Sequence, residues 1–181
     1  MEVSQTLQNQ GPADLTQLSI ELAARMINLA NPGPGLEVAR EQAAELLSSG
    51  AAFVKFQEAI AAQGGNPEVL NQFELLPNAT GAREILSPRG GYVSRINAED
   101  IGLAAGLLGA GRDTMDRQID PAVGVILERK VGERVAAGTR LCTLYHTDDT
   151  HLEEAAQWVE DAFHISAAAP EPRQLVLEII Q

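Results

Sequence analysis

Cysteine, lysine and aromatic residues are scarce in this chain of 181 residues. The single cysteine, Cys142, excludes an intrachain disulfide framework and fits a reducing compartment. Lysine occurs only at Lys55 and Lys130, and 13 basic residues face 25 acidic ones for a net charge of −12. This balance argues against binding to nucleic acid or to an anionic membrane, because both depend on dense positive charge. We therefore expect neither kind of partner.

Long apolar runs are also missing. No run approaches the roughly 18 apolar residues of a membrane span, and residues 1–5 lack the basic start and apolar core of a secretory signal. Hydrophobic residues nevertheless make up 45% of the chain and recur regularly, which excludes a disordered polypeptide. The sequence predicts a globular, cytoplasmic protein of one domain or two small ones.

The first half of the chain predicts helices. Apolar residues recur there at steps of three and four, the period of one helix face: Leu15, Leu18, Leu22, Met26 and Leu29. Asp14 is the expected N-cap of this helix. Two shorter amphipathic helices follow at 38–47 and 53–61. Helices of this kind need an apolar surface to pack against, and stripes without neighbours would be exposed and favour self-association.

The second half predicts short strands with two inserted helices. Strands are expected at 83–86, 91–96, 122–127, 141–146 and 175–180, and helices at 100–108 and 150–163. Thr150 and Glu153 have the spacing of a capping box for the second helix. The predicted fold class is therefore α+β, with helices in the first half and short strands with two helices in the second.

Three glycines, Gly106, Gly109 and Gly111, suggest a phosphate-binding loop, but their spacing favours a different interpretation. A dinucleotide fingerprint would need glycine at the position of Thr114, and a P-loop would need Gly-Lys-Ser/Thr where Arg112 follows Gly111. Glycine after a helix is a common C-cap. We interpret these residues as a helix stop.

Several residues with metal-binding or nucleophilic chemistry receive structural interpretations. His146, Asp148, Asp149 and His151 stand close enough in sequence to suggest a metal site, yet they flank a strand end and a helix start, where Asp is a usual cap. His164 is interpreted as a partner of the helix dipole. Cys142 lies in an apolar strand and is predicted to be buried. From the residues we therefore assign no catalytic, cofactor-binding or metal-binding residue.

The turns at 131–141 are typical of small barrel-sandwich modules that carry biotin or lipoate. A carrier needs a lysine at a hairpin tip, and neither Lys55 nor Lys130 has that setting. The motif leaves open a non-enzymatic binding or scaffold domain as the alternative function. A metal-dependent enzyme built on residues 146–151 is the third hypothesis.

Taken together in order, eight short motifs resemble the C-terminal portion of pyrimidine-nucleoside phosphorylases, including thymidine phosphorylase. The motifs are Glu2-Val3, Gly11-Pro12-Ala13-Asp14-Leu15, Ala62-Gln63-Gly64-Gly65, Gly90-Gly91-Tyr92-Val93, Ile101-Gly102, Leu108-Gly109-Ala110-Gly111-Arg112, Ile119-Asp120-Pro121-Ala122-Val123-Gly124 and Val131-Gly132-Glu133-Arg134-Val135. The resemblance implies that 1–78 contributes helices to an α/β domain and that 82–181 is a hammerhead-like C-terminal module.

The resemblance also implies an activity, which is reversible phosphorolysis of a pyrimidine nucleoside to the base and a pentose 1-phosphate. In this family the residues that bind phosphate and base lie upstream of the matched segment. The resemblance therefore assigns no catalytic residue and no cofactor to this chain. The chain alone is expected to be inactive and structural. Its partner would be the N-terminal remainder of a homodimeric enzyme. Gln5 stands where some relatives have a carboxylate that binds a structural cation.

The segment Arg112–Asp120 is the candidate mobile segment of the chain.

Overall fold

The computed structural model describes residues 1–112, 118–172 and 174–180. These residues form two compact units, one of residues 1–76 with 174–180 and the other of residues 77–172. Helices and antiparallel sheets are both present, so the predicted α+β class is confirmed. Among the described residues, no helix is long and apolar enough to cross a membrane.

The first unit is helical. Its elements are α1 (Glu2–Leu7), α2 (Ala13–Ala30), α3 (Leu36–Ser48), α4 (Ala51–Ala62) and two 3-10 turns, Pro67–Leu70 and Phe73–Leu75. Gly50, between α3 and α4, has φ of 78°, a left-handed conformation that glycine adopts without strain. The three predicted helices are therefore confirmed, whereas the short α1 was not predicted.

Small residues form the core of the first unit. Ala24 of α2 is fully buried against Ala39 and Ala43 of α3, with Ile20 and Ile27 packed around them. Alanine at these positions lets the two helices approach closely. The stripe of larger residues predicted for α2 lies elsewhere, because Leu22, Met26 and Leu29 are 54%, 70% and 81% exposed.

Long-range hydrogen bonds hold α1 in place. Buried Ser4 donates its hydroxyl to the carbonyl oxygen of Leu70 at 2.6 Å, and Asn9 donates its side-chain amide to the carbonyl oxygen of Leu47 at 3.2 Å. A six-residue helix has little stability of its own. Its position therefore depends on these two contacts with distant parts of the chain.

The second unit contains two three-stranded antiparallel sheets. Its elements are β1 (Gly81–Leu86), β2 (Gly91–Ile96), α5 (Ala98–Ala105), a π-helical turn (Gly106–Ala110), β3 (Gly124–Leu127), β4 (Arg134–Val135), β5 (Arg140–His146), α6 (Leu152–Ala162) and β6 (Phe163–Ser166). The strand orders are β1-β5-β3 and β4-β2-β6. The sheets and helices share one core, centred on Val93, Leu144 and Val159, each fully buried.

Three strand predictions need correction. Residues 163–166 form β6, paired with β2, where the sequence predicted a helix continuing to 163. Residues 122–127 were expected to be a mostly buried strand, yet β3 is an edge strand with Ile126 41% exposed. Residues 175–180 form no strand. Pairing with β2 decided the first outcome and the edge position of β3 decided the second, and periodicity carries no information about either.

Both predicted N-caps are also wrong. The cap residue of α2 is Pro12, and Asp14 lies inside the first turn, where its Oδ1 accepts a hydrogen bond from the Leu15 amide. The cap residue of α6 is His151, and the Thr150 amide donates to Asp148 Oδ1. Asp14 still places negative charge near a helix N-terminus, where the dipole favours it.

Candidate functional site

A cavity of about 330 Å³ lies in the second unit among α5, the π-helical turn and α6. Its lining includes Leu103, Gly106, Arg112, Glu154 and Trp158. The glycine contributes no side chain to fill the space between the helices, and Trp158, the only tryptophan, is 39% exposed. An aromatic ring, a guanidinium and a carboxylate therefore border one cavity, which is the composition of a small-molecule or chain-docking site.

Two glycines beside this cavity, Gly109 and Gly111, have structural roles in the backbone. Gly109 has φ of 113° at the end of the π-helical turn, and its carbonyl oxygen accepts a hydrogen bond of 3.0 Å from the Asp120 amide. A β-carbon on Gly111 would lie 3.3 Å from the Cα of Gly106. The helix-stop interpretation is confirmed for Gly109 and Gly111, where backbone conformation and close packing respectively account for glycine, whereas Gly106 has helical dihedral angles.

Asp120 holds the C-terminal end of the segment that was expected to be mobile. Its Oδ1 accepts from the Ala122 amide at 2.9 Å, and its Oδ2 accepts from the Thr147 hydroxyl at 2.8 Å. Thr80 donates its own hydroxyl to the Thr147 carbonyl oxygen at 3.0 Å. Of the predicted segment Arg112–Asp120, residues 113–117 lie outside the described residues, so the expectation of mobility stays a prediction.

The residues suggested as metal ligands have separate local partners, and only His146 and Asp149 lie next to each other. His146 Nδ1 lies 2.9 Å from Asp149 Oδ1, and His151 Nδ1 lies 3.5 Å from Glu154 Oε2. Across residues 1–112, 118–172 and 174–180, no three His, Cys, Asp or Glu side chains are grouped as a metal site. His164 lies in β6, two residues beyond the end of α6 at Ala162, and its assignment to the helix dipole stays a prediction.

Cys142 is shielded from solvent. Its residue is fully buried in β5, as the sequence predicted, and burial raises the pKa of the thiol from 9.0 to about 12. A thiol with this pKa is almost entirely protonated at neutral pH, and only the thiolate is nucleophilic. The cysteine therefore acts as a core residue.

The first unit carries an apolar groove of about 730 Å³ between α1, α3 and α4. Its lining includes Val3, Leu7, Leu46 and Phe56. The sequence predicted α3 and α4 but neither α1 nor the groove. Gln5, the residue expected at a family cation site, is exposed on α1. The missed signal is that Val3 and Leu7 are four residues apart, the spacing of one helix face.

Comparison with known proteins gives consistent matches. Residues 92–166 match the family model described as the pyrimidine nucleoside phosphorylase C-terminal domain. The chain is similar to the pyrimidine-nucleoside phosphorylase of Staphylococcus haemolyticus strain JCSC1435, at 37% identity over 171 residues, covering 94% of this chain and 39% of that protein. For the protein of the same name from Staphylococcus aureus strain MSSA476, identity is 37% over 180 residues, covering 99% of this chain and 41% of that protein. The chain spans about two fifths of the length of these relatives.

Proposed function

Since this chain corresponds over nearly its whole length to the C-terminal portion of pyrimidine-nucleoside phosphorylases, we propose that it is the C-terminal, structural part of such an enzyme. The observation that carries the proposal is the 37% identity over 180 residues, with 99% of this chain aligned. The reaction is reversible phosphorolysis, in which phosphate attacks C1′ of thymidine or uridine and releases the base and a pentose 1-phosphate. The enzyme is thus a pentosyltransferase of pyrimidine metabolism, of the thymidine phosphorylase kind.

The division of labour follows from the chemistry of this reaction. Phosphorolysis needs cationic and amide donors around phosphate, and donors that stabilise charge on the departing base. The proposal assigns those donors to the portion of the enzyme that precedes the matched segment. This chain alone is then inactive, and its role is to support the preceding portion.

Two features of the chain support a structural role. The second unit has a continuous apolar core in which Val93, Leu144 and Val159 are fully buried, as in a stably folded module. The first unit carries the apolar groove lined by Val3, Leu7, Leu46 and Phe56, which is suited to covering by other protein. The proposal also includes a homodimeric enzyme, and a cytoplasmic location that the buried Cys142 fits.

The test is reconstitution with the Staphylococcus aureus relative. About three fifths of that protein lies outside the match, and this N-terminal portion is joined to the present chain or co-expressed with it. We expect phosphate-dependent release of thymine or uracil from the reconstituted enzyme, and none from either part alone. Activity in the N-terminal portion alone, or failure of both formats to turn over nucleoside, would contradict the proposal.

A separate measurement tests inactivity of the isolated chain. The purified chain is incubated with thymidine or uridine and phosphate, and free base is measured by absorbance. Turnover that persists in a Leu144→Asp variant, whose core is disrupted, identifies a contaminant. Turnover that disappears in the variant belongs to the chain and contradicts a purely structural role.

A further inference from the structure

Helix α2 is apolar on two opposite faces. Ala24 is buried against α3, while Leu22, Met26 and Leu29 form a stripe that is 54%, 70% and 81% exposed. At 3.6 residues per turn, Leu22 and Ala24 point roughly 200° apart. These three exposed residues are named here the α2 stripe.

A helix at a protein surface normally presents polar residues on its outer face. Single exposed leucines are common, but three large apolar side chains on successive turns form a contiguous patch of the kind that marks an interaction site. The α2 stripe gives this helix the pattern of one that lies between two layers of protein. Only one of those layers, α3, is present in the described residues.

The charged flank of α2 is already neutralised within the unit. Glu21 forms ion pairs with Arg25 at 2.7 Å and with Arg40 of α3 at 2.8 Å. Arg40 also pairs with Glu37 at 2.6 Å. A partner covering the α2 stripe therefore gains little from these charges, and its complementary face must be apolar.

The length of the relatives indicates which segment of protein covers the α2 stripe. Their unmatched portion is about three fifths of the protein and precedes the matched segment, which includes the C-terminal domain. A second copy of this chain is a poorer candidate, because each copy carries a net charge of −12 and the copies repel. We propose that the α2 stripe is the docking surface for the N-terminal portion of a pyrimidine-nucleoside phosphorylase, an inference that rests on the proposed function.

Oxidation of Met26 by dilute peroxide measures whether the stripe is covered. The chain is oxidised alone and in complex with the co-expressed N-terminal portion of the Staphylococcus aureus relative, and methionine sulfoxide at Met26 is followed by mass spectrometry of peptides. A short methionine-containing peptide added to both samples is the reference. We expect oxidation of Met26 to slow by about tenfold or more in the complex relative to this peptide.

A pair of variants tests whether the stripe contributes to binding. Met26→Glu places a charge within the stripe, and Gln42→Glu adds the same charge at an exposed position of α3. Neither change disturbs a buried residue, so both variants are expected to fold. We expect Met26→Glu to weaken binding of the N-terminal portion by about tenfold or more, and Gln42→Glu by less than about twofold.

The outcomes separate this inference from the proposed function. If the complex forms but Met26 stays as reactive as in the free chain, or Met26→Glu binds as well as Gln42→Glu, the inference is wrong and the proposed function stands. If no complex forms and reconstitution gives no activity, both fail. Protection of Met26 in the isolated chain at the same concentration would show a second copy as the occupant and overturn the inference.

Discussion

The carbonyl oxygen of Ser166 occupies the space that a β-carbon on Gly91 would need. That carbon would lie 2.4 Å from the oxygen, and Gly91 also has φ of 155°. Gly91 begins β2, where the next residue, Tyr92, pairs with Ser166 of β6. Glycine is required here because the backbones of two strands meet without room for a side chain.

Gly91→Ala is expected to destabilise the second unit by about 2–4 kcal/mol, because a strand backbone must move to accept the new carbon. The adjacent Gly90→Ala is the matched control, since its added carbon would meet no atom closer than 3.7 Å. We expect that control to stay within about 1 kcal/mol of the parent. Urea unfolding followed by Trp158 fluorescence reports on this unit, and equal losses in both variants would refute the steric explanation.

Leu144→Ala is expected to cost about 3 kcal/mol of unfolding free energy. Leu144 is fully buried at the centre of the shared core, so the change loses apolar burial and leaves a cavity. Leu86→Ala removes the same atoms from a residue that is 49% exposed, and we expect a loss below about 1 kcal/mol. The measurement is again urea unfolding monitored at Trp158. Similar losses would mean that β5 does not form the core.

Cys142 is expected to resist alkylation in the folded chain. With a pKa of about 12, its thiolate at pH 8 is roughly a thousandfold rarer than that of an ordinary thiol, and reagent cannot reach it. Labelling with iodoacetamide is measured by intact mass, in buffer and in 8 M urea (about the strength that unfolds most small proteins). Rapid labelling without urea would contradict the burial of this strand.

Glu21 is expected to make the helical unit sensitive to acid. Hydrogen bonds from Arg40 and then Arg25 lower the pKa of its carboxyl below 4.5. A carboxyl with a lowered folded-state pKa stabilises the fold above its unfolded-state pKa, and this contribution is lost as pH falls through the folded-state value. Glu21→Gln should therefore reduce stability near neutral pH and flatten its decline below about pH 4.5.

Helical circular dichroism during thermal unfolding, repeated from pH 7 to pH 3, measures this effect. Glu41→Gln, which removes an exposed carboxylate of α3, is the matched control. We expect its pH profile to follow the parent. A parallel profile for Glu21→Gln would show that the ion pairs with Arg25 and Arg40 do not contribute to the pH dependence.

The positions of helices with strong periodicity were predicted well, but the faces through which they pack were not. The pattern in α2 located the helix to within a few residues of Ala13–Ala30. The same pattern singled out Leu22, Met26 and Leu29, although Ala24 makes the contact with α3. Hydrophobicity ranks large residues above alanine, whereas close helix packing favours the small one.

At the candidate site too, local features were predicted from the sequence, whereas the contact between distant elements was not. The position of glycines after α5 predicted where that helix ends, and the apolar setting of Cys142 predicted its burial. The cavity bordered by Arg112 and Trp158 was missed, because it needs α5 and α6 side by side. Residues separated by some 45 positions carry no shared local signal.

By itself, the sequence determined the fold class, the principal helices and most strands, and, through its motifs, the resemblance to pyrimidine-nucleoside phosphorylases. These properties depend on local periodicity or on short runs of residues. Only the tertiary structure decided that 163–166 pair with β2, that 175–180 form no strand and that the α2 stripe is exposed. Each of these outcomes depends on which distant surface a segment meets, because burial and strand pairing are properties of two segments together.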